Sequence, residues 1–210
     1  MNVTAPNGIA PGTSDPRLLL EAARVFNAAG ADYRKVAEVV AELALQAADK
    51  ADPEIRRMII GDGVALRLSG RVPGGYRQAL ELLKAIGDKT DEDPDGRLHL
   101  LRALARGQMY RDAREAGKSP DDAELAPLRA EIRQDLEFAF AQDDTLKVEN
   151  RLFWQAAPAS LAAGCDRQDD LRAVWLDDPE FRKLVGLPAD QPTDPPAQPG
   201  QAAPPDNKNG

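Results

Sequence analysis

Between Asp93 and Asp144 the apolar residues fall three and four positions apart in two long runs. The first holds Leu98, Leu101, Leu104, Ala105 and Met109, and the second Ile132, Leu136, Ala139 and Phe140. At 3.6 residues per turn this spacing gives each run one apolar stripe along a helix. A helix with a single stripe needs a neighbour to cover it, so the stretch predicts two antiparallel helices packed face to face. Shorter versions of the pattern fill most of the remaining sequence, and the period-two alternation of strands is missing. The predicted fold class is all-α.

One dipeptide marks where these helices begin. Asp15-Pro16, Asp52-Pro53, Asp93-Pro94 and Asp178-Pro179 each precede a helical pattern. Aspartate at the N-cap accepts a hydrogen bond from an otherwise unpaired backbone N–H, and proline at the first helical position loses no useful donor. Ser119-Pro120, with Asp121 and Asp122 behind it, reads as a further start, and Pro127 then either kinks or restarts that helix. The predicted helices span 16–29, 32–49, 53–69, 75–88, 94–116 and 120–142, followed by short ones near 147–157, 169–176 and 179–185. Gly30, the Gly70 to Gly75 loop and Gly117 supply the connections.

The ends read differently. Residues 1–14, with Pro6, Gly8, Pro11 and Gly12, predict a disordered leader. From Pro188 to Gly210 prolines alternate with Gln, Asp, Asn and Gly, and this predicts a disordered tail with little to bury. The helical domain is therefore expected over 15–187.

Composition narrows the function classes. A net charge of −8 lacks the basic footprint that grips phosphate backbones, so nucleic acid is not the expected partner. No run approaches the length of a membrane span, and the first residues do not form a signal peptide, so a cytoplasmic protein is expected. A single cysteine, Cys165, leaves no internal disulfide. Catalytic residue types are equally scarce. His99 is the one histidine and is expected on a partly exposed helix face, and Cys165 has no CxxC neighbour to share a metal. Asp91-Glu92-Asp93-Pro94-Asp95-Gly96 begins like a calcium loop. Its twelfth position is Arg102 rather than glutamate and Pro94 falls inside it, so it reads as an acidic turn between helices. No enzyme, cofactor or metal is expected.

The Asp-Pro starts at 15, 52 and 93 fall 37 and 41 residues apart, a period that suits stacked helix pairs. Leu19, Ala22, Ala23 and Phe26, then Gly30, Asp32 and Tyr33, then Val36, Val40 and Leu43 make a first unit. Val64, Ala65 and Leu68 with Gly75, Tyr76, Ala79, Leu83 and Ile86 make a second. Leu101, Leu104 and Ala105 with Ile132, Leu136 and Ala139 make a third, with an insertion of more than ten residues between its helices. In these positions the chain resembles the tetratricopeptide repeat family, and Asp178-Pro179-Glu180-Phe181 resembles the closing element of bacterial proteins of that type. The resemblance implies a helix-hairpin repeat stack, a tetratricopeptide-like α-solenoid with short C-terminal capping helices. It also implies a concave groove lined by the first helix of each unit, on which Arg24, Asn27, Arg102 and Arg106 would face a bound protein or peptide. Arginine forks suit the carboxylates of an acidic or C-terminal segment. The expected role is a non-catalytic interaction module, with a helical-bundle subunit of a larger complex or homo-oligomer as the alternative.

Overall fold

Three of the four Asp-Pro pairs start helices as predicted. The Asp15 carboxylate accepts the Arg17 N–H at 2.9 Å and that of Asp52 accepts the Glu54 N–H at 2.9 Å. Asp178 accepts from Glu180 at 3.0 Å and Phe181 at 3.3 Å. Each such cap contributes about 1 kcal/mol. The computed structural model describes residues 15–48, 52–68, 74–84, 92–155 and 171–186, and all regular structure among them is helical. The helices are α1 (Pro16–Ala28), α2 (Arg34–Ala48), α3 (Pro53–Leu68), α4 (Gly75–Leu83) and α5 (Arg97–Glu115). They continue with α6 (Leu125–Gln142), α7 (Asp144–Gln155), α8 (Arg172–Asp177) and α9 (Pro179–Leu184). A 3₁₀ turn, Ala31–Tyr33, leads into α2.

The fourth pair departs from expectation. Asp93 does not cap a helix at Pro94. The chain turns first, the Gly96 N–H bonding back to the Asp93 carbonyl at 3.1 Å with Gly96 at φ 67°, and α5 begins at Arg97. The Asp93 carboxylate reaches over this turn to accept the N–H groups of Leu98 at 3.1 Å and His99 at 2.9 Å. Ser119-Pro120 likewise opens a turn rather than a helix. The Asp121 N–H reaches Ser119 Oγ at 3.3 Å, and α6 starts five residues later. That start settles the position of Pro127. It lies in the first turn of α6, where its missing N–H has no helical acceptor to lose, so it neither kinks nor restarts the helix.

Successive helices from α1 to α7 pack on one another, as do α8 and α9, and α1 also touches α3 while α3 touches α5. Pairings along α5 and α6 run in opposite senses, with His99 on Phe138, Arg102 on Asp135 and Arg106 on Glu131. Along α3 and α5 they run in the same sense, from Gly61 beside Leu98 to the Gln108 amide donating to the Leu68 carbonyl at 3.0 Å. The main core joins α3 to α6 with α8 and α9 through Leu68, Leu83, Leu104, Tyr110, Ile132, Leu136, Trp175 and Phe181. Burying one such leucine or aromatic contributes about 1.5–3 kcal/mol. The α1–α2 hairpin joins through smaller contacts, where Ala37, Ala41, Ala44 and Ala48 of α2 meet α1 and α3.

The closing element docks firmly. Trp175 and Phe181 meet at 5.6 Å between ring centroids, and Asp177 takes the Tyr110 hydroxyl at 2.9 Å and Arg114 Nε at 2.7 Å. Tyr110 is pushed above its ordinary pKa, chiefly by burial and also by Asp177, although Arg129 opposes the shift. Among the described residues, no helix is long and apolar enough to cross a membrane. The predicted leader and tail, Cys165 and the far ends of the helices expected at 75–88 and 147–157 lie outside the described residues.

Candidate functional site

Helices α1, α3 and α5 lie side by side and share a line of charge. Arg24, late in α1, donates from Nε to Asp62 at 2.8 Å and makes a second bond to the same carboxylate, and its remaining arm reaches Glu21. Asp62 belongs to α3 and also takes Nη2 of Arg97, the first residue of α5, at 3.3 Å. Burial works against the Arg24 charge, but the bonds and charges of Asp62 and Glu21 outweigh it and hold its pKa above the ordinary value.

Apolar ground lies beside this line. A depression of about 140 Å³ is floored by Leu20, Ala23, Ala41, Ala65 and Leu66, and rimmed by Arg24, Asn27 and Asp62. A second one, of about 260 Å³, is bounded by Met58, Gly61, Pro94 and Leu98, by Arg57 and Arg97, and by the acidic Glu54, Asp93 and Asp95. Acidic residues outnumber arginines around the second depression, whereas the first sets an apolar floor beside Arg24 and Asp62. Two of the four residues expected on the groove, Arg24 and Asn27, meet here.

The other two do not join them. Arg102 and Arg106 turn toward α6 and converge on Asp135, Arg102 through Nε at 2.8 Å, and Arg106 takes Glu131 at 3.1 Å with its Nε. Their side chains are only 15% and 20% exposed, and Asp135 is buried. They clamp one hairpin together and do not share the wall of Arg24. Arg102 is thus tied to Asp135 of the facing helix. Sequence reasoning missed Asp62 and Arg97. The signal for the first was Gly61-Asp62-Gly63, two poor helix formers inside α3 where a neighbour approaches closely. Arg97 was hidden by placing the start of α5 at Pro94.

His99 is buried, against the expectation of a partly exposed residue. Its Nδ1 lies 2.6 Å from Asp93 Oδ2, and its ring stacks on Phe138 with centroids 3.8 Å apart. Both Asp93 oxygens are thereby engaged by α5, one by the Leu98 N–H and one by His99. The carboxylate at the centre of the calcium-like sequence thus points into the fold, where α5 engages it. Asp91 lies outside the described residues. Among the described residues no group of three or more His, Cys, Asp or Glu side chains is placed to hold a metal.

This dyad has a pH consequence. Burial alone would raise the Asp93 carboxyl, but the His99 ring and the two N–H bonds outweigh it and hold it below its ordinary value of 3.8. A carboxylate with a depressed folded pKa stabilises the fold fully above the unfolded value, and the contribution is lost as pH falls through the folded one. Asp93→Asn is expected to lower the urea midpoint near neutrality and to lose much of that penalty well below pH 3.8. Urea titrations of both proteins across the acid range check this.

In comparisons with known proteins, no family model, no curated protein and no solved structure matches this chain.

Proposed function

We propose that the chain is a non-catalytic interaction module of the cytoplasm, a tetratricopeptide-like stack that binds an acidic or C-terminal peptide on the wall of α1, α3 and α5. In this reading α1–α2, α3–α4 and α5–α6 are successive hairpins, and α8 and α9 close the stack. The antiparallel α5–α6 pair, the same-sense α3–α5 pair and the contact of α1 with α3 support it.

The observation that carries the reading is the Arg24–Asp62–Arg97 line, with both arginines exposed, beside the apolar floor. Arg97 engages Asp62 with one of its five N–H donors, and its side chain is over half exposed. Donors therefore remain for a peptide carboxylate, while Leu20, Ala65 and Leu66 receive an apolar side chain. Nothing in this role requires a cofactor.

Displayed C-terminal peptides selected on the full chain, then measured by fluorescence polarisation, test the proposal. Arg24→Glu with Arg97→Glu is expected to weaken binding at least about ten-fold, since charge-assisted hydrogen bonds contribute about 1.5–3 kcal/mol each. Both side chains are more than a third exposed, so circular dichroism should be unchanged. Unaltered affinity in the double variant, or a library yielding no acidic binder, would count against it.

A further inference from the structure

Helix α2 has two apolar faces, and the fold buries one. Ala37, Ala41, Ala44 and Ala48 pack inward on α1 and α3. On the outside, Val36, Val39 and Leu43 remain 36%, 61% and 46% exposed. Single apolar residues on a surface are ordinary. These three recur at i, i+3 and i+7, the spacing of a helix seam that packs on another helix.

The charges along its edge select a partner. Lys35 and Glu42 each stand one residue before a seam residue, seven apart on the same edge. Lys35 has no ion pair among the described residues. Glu42 holds Arg67 through one oxygen at 2.8 Å and stays half exposed. In a parallel second copy each would face the opposite edge of the seam, at Val40 and Ala47, where there is no countercharge. An antiparallel copy related by a two-fold axis sets Lys35 of each chain against Glu42 of the other, with valine and leucine between.

We infer that this face of α2 is self-complementary and that the chain pairs with a second copy of itself, antiparallel, through Val36, Val39 and Leu43. The seam lies nearly opposite Ala41, which floors the depression beside Arg24. Pairing therefore leaves the proposed peptide wall free, and a dimer presents two such walls.

Sedimentation equilibrium of the full chain tests the inference without any peptide. The mass is expected to rise from 22.7 kDa toward twice that value with concentration through the micromolar range. Val39→Glu should raise the dissociation constant at least about ten-fold by placing a charge in the seam. Lys35→Glu should do so at low salt and much less at high salt, because exposed charge pairs are screened. Both sites are on the surface, and unchanged circular dichroism confirms the fold. A wild-type chain that stays at 22.7 kDa overturns the inference, as does a dimer indifferent to Val39→Glu. Loss of the dimer with Val39→Glu alone, and none with Lys35→Glu at low salt, overturns the antiparallel pairing.

Discussion

Asp135→Ala is expected to lower the free energy of unfolding by about 3–5 kcal/mol, the cost of leaving a largely buried charge without its counter-ion. Arg102 and Arg106 both converge on this one buried carboxylate. Removing it leaves two guanidinium groups facing each other across the α5–α6 seam. Glu131 still reaches Arg106, so the loss should fall toward the lower end of the range. Chemical denaturation of the two proteins measures it. If the cost comes from the stranded cations, a variant that also carries Arg102→Met and Arg106→Met should recover most of it. By contrast Asp62→Ala, whose arginine partners are well exposed, should change stability far less, since exposed pairs contribute about 0–1 kcal/mol.

Gly96→Ala should cost about 2–5 kcal/mol, adding a positive-φ penalty to overpacking. Gly96 has φ 67°, and a Cβ there would lie 2.6 Å from Cα of Ala139 and 2.7 Å from its carbonyl oxygen. Those are backbone atoms of α6, which cannot swing aside as a side chain can. Gly117→Ala is the matched comparison, because Gly117 has φ 89° but nothing within 4 Å of its would-be Cβ. It should lose only the conformational share, about 1–2 kcal/mol. The difference between the two variants in thermal or urea unfolding reports how tightly the turn before α5 presses on α6. Equal losses would show that α6 yields at little cost.

Helix content was readable because it depends on short-range physics. A carboxylate at the N-cap and proline behind it need no tertiary partner, so Asp15, Asp52 and Asp178 act as the sequence predicts. Asp93 failed as a cap signal because its carboxylate found better use across a turn, with two N–H groups and the His99 ring. That choice depends on Gly96 meeting Ala139, a contact more than forty residues away in sequence. For the same reason His99 could not be placed from its position before Leu101. Phe138, which stacks on it, is supplied by the next helix.

Of the candidate site, the sequence could show which residues share a helix face. Arg24 and Asn27, one helical turn apart, line one depression. Arg102 and Arg106 occupy comparable positions in their helix but meet Asp135, an acidic residue on the buried side of α6. Periodicity shows which residues share a face, not which opposing side chain that face will meet. Nor did it show Asp62, which joins Arg24 to Arg97 over a separation of 38 and 35 residues.

The proposed function requires that a peptide dock along α1, α3 and α5. Backbone amide shifts of the full chain, followed by NMR while a selected acidic peptide is added, test it most directly. The largest shifts are expected at Ala23 to Asn27, at Gly61 to Leu66 and at Arg97, with little change around Asp135. Shifts centred on Arg102, Arg106 and Asp135, or on the outer face of α2, with the Arg24–Asp62–Arg97 line unmoved, would contradict it.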